Sequence, residues 1–231
     1  MIRDHAFNCS WWGGRVGILE DPAFFDAPDA ERQGALSPYE WVEFRCALRS
    51  APDPWRLASC GFAQVDTQLS FRIGLKAFEA PGTEELPVRF ADQEPFVPRP
   101  EDWPDFPHER FRHLPGATAA RVARRYEMWA RALLERAPAS CVEVGDAGRP
   151  QGWFLAEPVE GHLNLALAML RSGASISGFD LYSQALRAFW RRGTRLGEAR
   201  FSIEHRAVHN IYARLGAIFR EATGCWLWRA R

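Results

Sequence analysis

Apolar residues along the chain follow two rhythms, one of period two and one of period 3.6, and the switches between them predict the elements. Residues 62–73 alternate, with Val65, Thr67, Leu69, Phe71 and Ile73 on one face, which predicts a strand. Residues 41–46 read as an earlier strand. Residues 54–60 read as a short helix closed by Gly61, the residue type that most easily turns left-handed past a helix end. Residues 117–136 predict an amphipathic helix with Val122, Tyr126, Trp129 and Leu133 on one face. Arg121, Arg124, Arg125 and Arg131 lie mostly elsewhere and read as its solvated side.

After residue 139 the pattern predicts strands at 141–144, 152–157 and 162–170, then a helix at 179–192. That helix would bury Leu181, Tyr182, Ala185, Leu186 and Phe189. A strand at 199–204 and a helix at 207–215, stopped by Gly216, come next; residues 217–221 and 225–229 would close the chain as a hairpin. The fold class is α/β.

Residues 78–108 lose the rhythm. Prolines fall at 81, 87, 98, 100, 104 and 107 among acidic residues, which predicts a linker and a division into residues 1–85 and 86–231. One echo crosses that division. The run from Leu57 through Gly61 to Ile73 resembles the run from Tyr212 through Gly216 to Arg229, each a short helix, a glycine and extended chain. A duplicated unit explains this, as does the tendency of any helix–glycine–strand sequence to look alike.

Composition narrows the function. Of 231 residues 47% are hydrophobic, enough for a real core. Lys+Arg and Asp+Glu both number 29, and no basic run stands out, so nothing in the charge favours nucleic acid or an anionic membrane. Five cysteines (Cys9, Cys46, Cys60, Cys141, Cys225) are scattered with no CxxC, which argues against a disulfide framework or a zinc site; no metal is expected. The start lacks the apolar core of a secretion signal, and residues 163–170 are too short to span a bilayer, so the expected location is the cytoplasm.

The chemistry concentrates near the C-terminal helix. The stretch HRAVHNIYARLGA, from His205 to Ala217, resembles the signature NxxAxxxYxxLGF of the GNAT superfamily of N-acetyltransferases. Tyr212, Leu215 and Gly216 match in register, while His205 replaces the usual Asn and Ala217 the usual Phe. Phe106, Arg110, Phe111 and Pro115, followed by Tyr126 and Trp129, look like the opening helices of the dTDP-fucosamine acetyltransferase group. The runs WGGRVG from Trp12 and GFxxVDT from Gly61 also resemble that group. The resemblance implies a GNAT fold, a mixed and mostly antiparallel sheet flanked by helices, with an N-terminal half-GNAT-like domain. It implies acetyl-CoA as co-substrate, a primary amine as acceptor (best the amino group of a nucleotide-linked amino sugar), a ternary complex and a homodimer.

The resemblance also assigns roles. A main-chain amide on the strand at 162–170, near Leu167, Ala168, Met169 and Leu170, would stabilise the oxyanion. His205, Glu204 or Asn164 would take the amine proton, and Tyr212 would protonate the departing thiolate, its phenol being protonated at neutral pH with a reference pKa of about 10. A core aromatic is the ordinary fate of such a Tyr. The loop Ser175, Ile176, Ser177, Gly178, Phe179, Asp180 stands where the family writes Q/RxxGxG/A and cradles the CoA diphosphate at a helix N-terminus. Ser175 and Asp180 depart from that pattern, and Asp180 with Ser177 also reads as a capping box. His205 would lie on the CoA side, Asn210 on the CoA side or against the strand behind it, with Arg110 and Asn164 toward the acceptor. His108, His113 and Arg124 read as surface residues, and Trp11 and Trp12 as core or as a stacking platform. Two further classes stay open: a GNAT acting on another small amine, and a GNAT-fold binding protein without turnover.

Overall fold

In a computed structural model describing residues 1–75, 85–146 and 148–230, ten strands make one continuous sheet. The N-terminal half contributes β1 (Ile2–Asp4), α1 (Ala6–Trp12), β2 (Val16–Leu19), α2 (Asp29–Leu36), β3 (Trp41–Ala47), α3 (Pro54–Ser59) and β4 (Ala63–Gly74). The C-terminal half contributes β5 (Val88–Phe90), α4 (Ala119–Arg136), β6 (Cys141–Asp146), β7 (Arg149–Val159), β8 (His162–Leu170), α5 (Gly178–Arg191), β9 (Leu196–Ser202), α6 (Arg206–Arg214) and β10 (Ile218–Arg229). The spatial order is β1-β2-β3-β10-β4-β9-β8-β7-β6-β5. All pairs are antiparallel except β2 with β3 and β8 with β9.

The two halves exchange strands. β10, the last strand of the chain, lies between β3 and β4, and β4 lies between β10 and β9. Each half runs parallel strand, crossover helix, parallel strand, short helix, glycine and exchanged strand. The two glycine closures share one hydrogen-bond pattern. The Phe62 amide donates to the Leu57 carbonyl and the Gly61 amide to Ala58; likewise Ala217 donates to Tyr212 and Gly216 to Ala213. Gly61 has φ +82° and Gly216 φ +75°. Gly216→Ala is therefore expected to cost about 1–2 kcal/mol of stability, measured by denaturant titration.

The expected C-terminal hairpin is instead one strand of 12 residues. Its Thr-Gly pair reads as a turn, but Gly224 is there for space: a Cβ on it would lie 2.1 Å from the Trp226 ring. Part of the expected linker, residues 78–84, lies outside the described residues, and another part is not linker. Val88–Phe90 is an edge strand paired with β6, Val88 opposite Val144 and Phe90 opposite Val142.

One core packs α5 and α6 on the sheet around Phe71, Phe154, Leu165, Phe189 and Tyr212. Another packs α4 over Trp153, Leu155 and Met169. Arg125, expected on the solvated side of α4, is buried: its guanidinium donates to the Asn8 side chain at 3.3 Å and to Glu109 at 3.4 Å. Among the described residues no helix is long and apolar enough to cross a membrane.

Candidate functional site

The sheet opens between two of its paired strands. β8 and β9 pair only at Leu163 with Gly197 and Asn164 with Glu198, although β8 continues to Leu170 and β9 to Ser202. Beyond those pairs the strands part. The opening is reinforced from the other side of β8, where Leu155 faces Leu167 but Glu157 faces Asn164. Leu165 and Ala166 together therefore oppose Ala156, a bulge that re-aims the main chain. Gly197 admits this arrangement, since a Cβ there would meet the Leu165 side chain at 2.8 Å. The result is a gap whose wall on the β8 side has main-chain groups without partners on β9, the raw material of an oxyanion donor. Leu167, Ala168, Met169 and Leu170 line this diverging run.

Because β8 and β9 are parallel, the helices that follow them both begin at the open end of the gap. At the start of α5 the loop is self-bonded. Asp180 accepts from the Ser177 amide at 2.9 Å and its hydroxyl at 2.7 Å, and the Ser177 hydroxyl accepts from the Asp180 amide at 3.2 Å. This is a complete capping box. The Ser175 amide and hydroxyl both donate to the Gln151 side chain, at 2.8 and 3.1 Å. Gly178 and Phe179 head the helix, where amides have no carbonyl four residues back. The Arg214 guanidinium lies 3.8 Å from the centre of the Phe179 ring and has no carboxylate partner among the described residues. A Cβ on Gly178 would touch Ile211 at 3.0 Å, so this glycine lets α5 and α6 approach.

Tyr212 projects from α6 into the core and is 2% exposed. Its ring stacks on Phe71 and Phe201 at 5.2 and 5.3 Å and meets Tyr182 of α5 edge-on at 5.4 Å. Burial, and secondarily Tyr182, holds the Tyr212 phenol well above its ordinary value of 10, so it stays protonated across the physiological range. His205 occupies the N-cap of α6, half-buried, its ring 5.0 Å from that of His108. Burial, then the nearby His108, lowers its pKa below the ordinary 6.5, so it is neutral at pH 7.

The other expected residues scatter. Glu204 and Asn210 are exposed, and Asn164 donates to Glu157 at 3.1 Å. Arg110, expected to face the acceptor, is instead ion-paired with Glu43 at 2.5 Å and Glu109 at 3.5 Å. Burial works against its charge, but the two carboxylates raise its pKa. Burial would likewise raise the Glu43 carboxyl, but Arg110 and Arg45 overcome it and hold Glu43 below its usual value.

Two groups escaped the sequence reading. Asp66 of β4 accepts from the Ser202 hydroxyl of β9 at 2.7 Å, one residue short of the turn into His205. Burial raises its pKa, partly offset by that hydrogen bond. Tyr182, read as core, is in the core and meets Tyr212 edge-on from α5. Among the described residues no cluster of three His, Cys, Asp or Glu could hold a metal ion.

No family model and no curated protein matches the sequence. Solved structures do match in fold. A GCN5-related N-acetyltransferase from Kribbella flavida superposes with TM-score 0.54 at 14% identity, over 94% of this chain and 82% of that one. One from Sphaerobacter thermophilus gives TM-score 0.54 at 16% identity over 87% of this chain, which spans only 65% of that protein's length. A tandem GNAT protein from the clavulanic acid biosynthesis pathway gives TM-score 0.50 at 13% identity, over 87% of this chain and 68% of that one. Identities this low speak to architecture. The chain has the α/β fold of the GNAT N-acetyltransferases, a mixed and mostly antiparallel sheet flanked by helices.

Proposed function

We propose that this protein is an acyl-CoA-dependent N-acyltransferase acting on a primary amine. The observation that carries the reading is the gap between β8 and β9, with a bulge on one wall and a buried phenol, Tyr212, stacked on Phe201 of the β9 wall. The GNAT-fold neighbours that are themselves named N-acetyltransferases support it.

In this reading the acyl-CoA is a substrate and the chain supplies three functions. A main-chain amide of β8 beside the bulge stabilises the oxyanion. The neutral His205 imidazole takes a proton from the amine as its nitrogen bonds to the thioester carbonyl carbon. The carbon–sulfur bond breaks, and Tyr212 gives its phenolic proton to the departing thiolate. His205 has the protonation state for this task, while Glu204 is exposed and Asn164 is engaged. Turnover is then expected to hold from neutral pH down past 6.5 and to fall only as pH drops through the lowered His205 pKa. His205→Gln should abolish that acid limb of kcat/KM.

The diphosphate cradle fits only in part. Asp180 puts a carboxylate where the anion would sit, which leaves the Gly178 and Phe179 amides and the Arg214 guanidinium to attract it. Asp180→Ala is expected to act in two directions. Loss of the cap costs about 1 kcal/mol of stability. Removal of a like charge, worth about 1 kcal/mol at 4 Å in water, tightens acetyl-CoA binding about fivefold. Thermal melting and calorimetric titration of the same variant check both signs.

The same carboxylate favours a second reading, a GNAT-fold binding protein without CoA turnover. As for acceptor, a nucleotide-linked amino sugar rests on the sequence resemblance alone, and Arg110 in its ion pairs adds nothing to it. Release of CoA thiol from acetyl-CoA, followed over a panel of nucleotide-linked amino sugars, aminoglycosides and amino acids, tests acceptor and activity together. Release with an amino acid but no sugar would move the acceptor to the other small amines, and release with no amine would favour the binding protein.

A further inference from the structure

The chain has four tyrosines, and their hydroxyls differ in their surroundings. Tyr126 donates its hydroxyl to Glu109 at 2.7 Å, and the Tyr39 hydroxyl lies near enough to Asp4 and Arg15 for both to act on its pKa. Tyr182 and Tyr212, 8% and 2% exposed, make no hydroxyl hydrogen bond to any described residue. Buried phenols ordinarily find a partner, because an unmade hydrogen bond in a dry site costs as much as the group's lost hydration. Neither hydroxyl is among the fully enclosed polar atoms left unpaired among the described residues.

The ring of Tyr182 has an ordinary explanation and the hydroxyl does not. The ring packs edge-on against Phe154 at 4.9 Å and Tyr212 at 5.4 Å, contacts that Phe would make equally well. Burial drives its phenol far above the ordinary value of 10, so the group is a donor, never an anion, at working pH. Its place in the helix matters. Tyr182 lies four residues into α5 from Gly178, about 6 Å along the axis. It lies on the side of α5 that meets α6, between Phe154 of β7 and Tyr212, which itself stacks on Phe201 of β9.

We propose that Tyr182 is a second ligand-binding phenol of the gap, donating its hydroxyl to a carbonyl oxygen in the amide-bearing arm of a bound acyl-CoA, ahead of Tyr212 at the thioester. This rests on the acyltransferase reading and adds to it a residue whose task is to hold the arm. The two phenols then divide the work: Tyr182 fixes the arm and Tyr212 serves the leaving thiolate.

The test is calorimetric titration of the full chain and of Tyr182→Phe with two probes: acetyl-CoA, and phosphoadenosine diphosphate, which is the nucleotide half of coenzyme A without its arm. The expected result is a rise of about five- to tenfold in the Kd of acetyl-CoA for the variant, the loss of one hydrogen bond. The Kd of the armless nucleotide should be unchanged, and so should the melting temperature without ligand, because no protein hydrogen bond is lost. Equal affinity of the variant for acetyl-CoA would overturn the proposal. So would equal weakening of both probes or a lower ligand-free melting temperature, either of which assigns Tyr182 to packing. If the unmodified chain does not bind acetyl-CoA, the acyltransferase reading itself fails first.

Discussion

Arg110→Met is expected to destabilise the fold by about 3–5 kcal/mol, the cost of leaving a buried charge without its partner. Glu43 is wholly buried, and Arg110 is its close partner at 2.5 Å; Arg45 lies farther off at 3.7 Å. Arg110 also lies 3.5 Å from Glu109, which in turn holds Arg125 and Tyr126. One substitution thus strips a network that joins β3 to α4 and α1. The pH dependence has a definite sign. The Glu43 pKa is depressed in the fold, so its stabilisation is present above the ordinary 4.5 and is lost as pH falls through the lower folded value. In the variant burial acts unopposed by Arg110, Glu43 takes up a proton more readily, and the deficit relative to the unmodified chain shrinks in acid. Replacing Glu43 by Leu in the same chain should recover much of the loss, since two apolar groups leave no charge behind. Urea titrations at pH 7 and pH 4 measure all of this.

Tyr212→Phe is expected to lower kcat by about 10²–10⁴, the usual worth of a positioned general acid, with the Kd of acetyl-CoA changed little. The aromatic stack with Phe71 and Phe201 keeps its shape in the variant, so the ligand-free melting temperature should hold. Because burial keeps the phenol protonated far above pH 10, Tyr212 contributes no basic limb near neutrality. A pH profile falling on the alkaline side below pH 9 would point to a different acid. An unchanged kcat would remove Tyr212 from the acid role.

The features legible in the sequence were the local ones. α5 and α6 follow from apolar spacing, Gly61 and Gly216 from the need for positive φ, and the Ser177–Asp180 cap from two residues three apart. What escaped depended on partners far away in the chain. Arg110 reads as an acceptor-facing cation until Glu43, 67 positions earlier, is seen beneath it. Asp66 and Ser202 are 136 positions apart and meet only because β4 is exchanged into the other half of the sheet. The C-terminal hairpin failed for a different reason. Gly224 signals a turn by type, whereas here it makes room for Trp226. Tyr182 was placed correctly on the buried side of α5, but burial in sequence cannot say whether a hydroxyl has a partner.

The most direct measurement is a thermal-shift titration of the unmodified chain with acetyl-CoA. A ligand at about 100 times its Kd stabilises a fold by roughly 2.7 kcal/mol, a readily visible shift. The expected result is a saturable rise in melting temperature, larger for Asp180→Ala than for the unmodified chain. No shift at any acetyl-CoA concentration, in a chain that melts cooperatively, would contradict an acyltransferase and leave a GNAT-fold binding protein whose α5 carboxylate has displaced the cofactor's diphosphate.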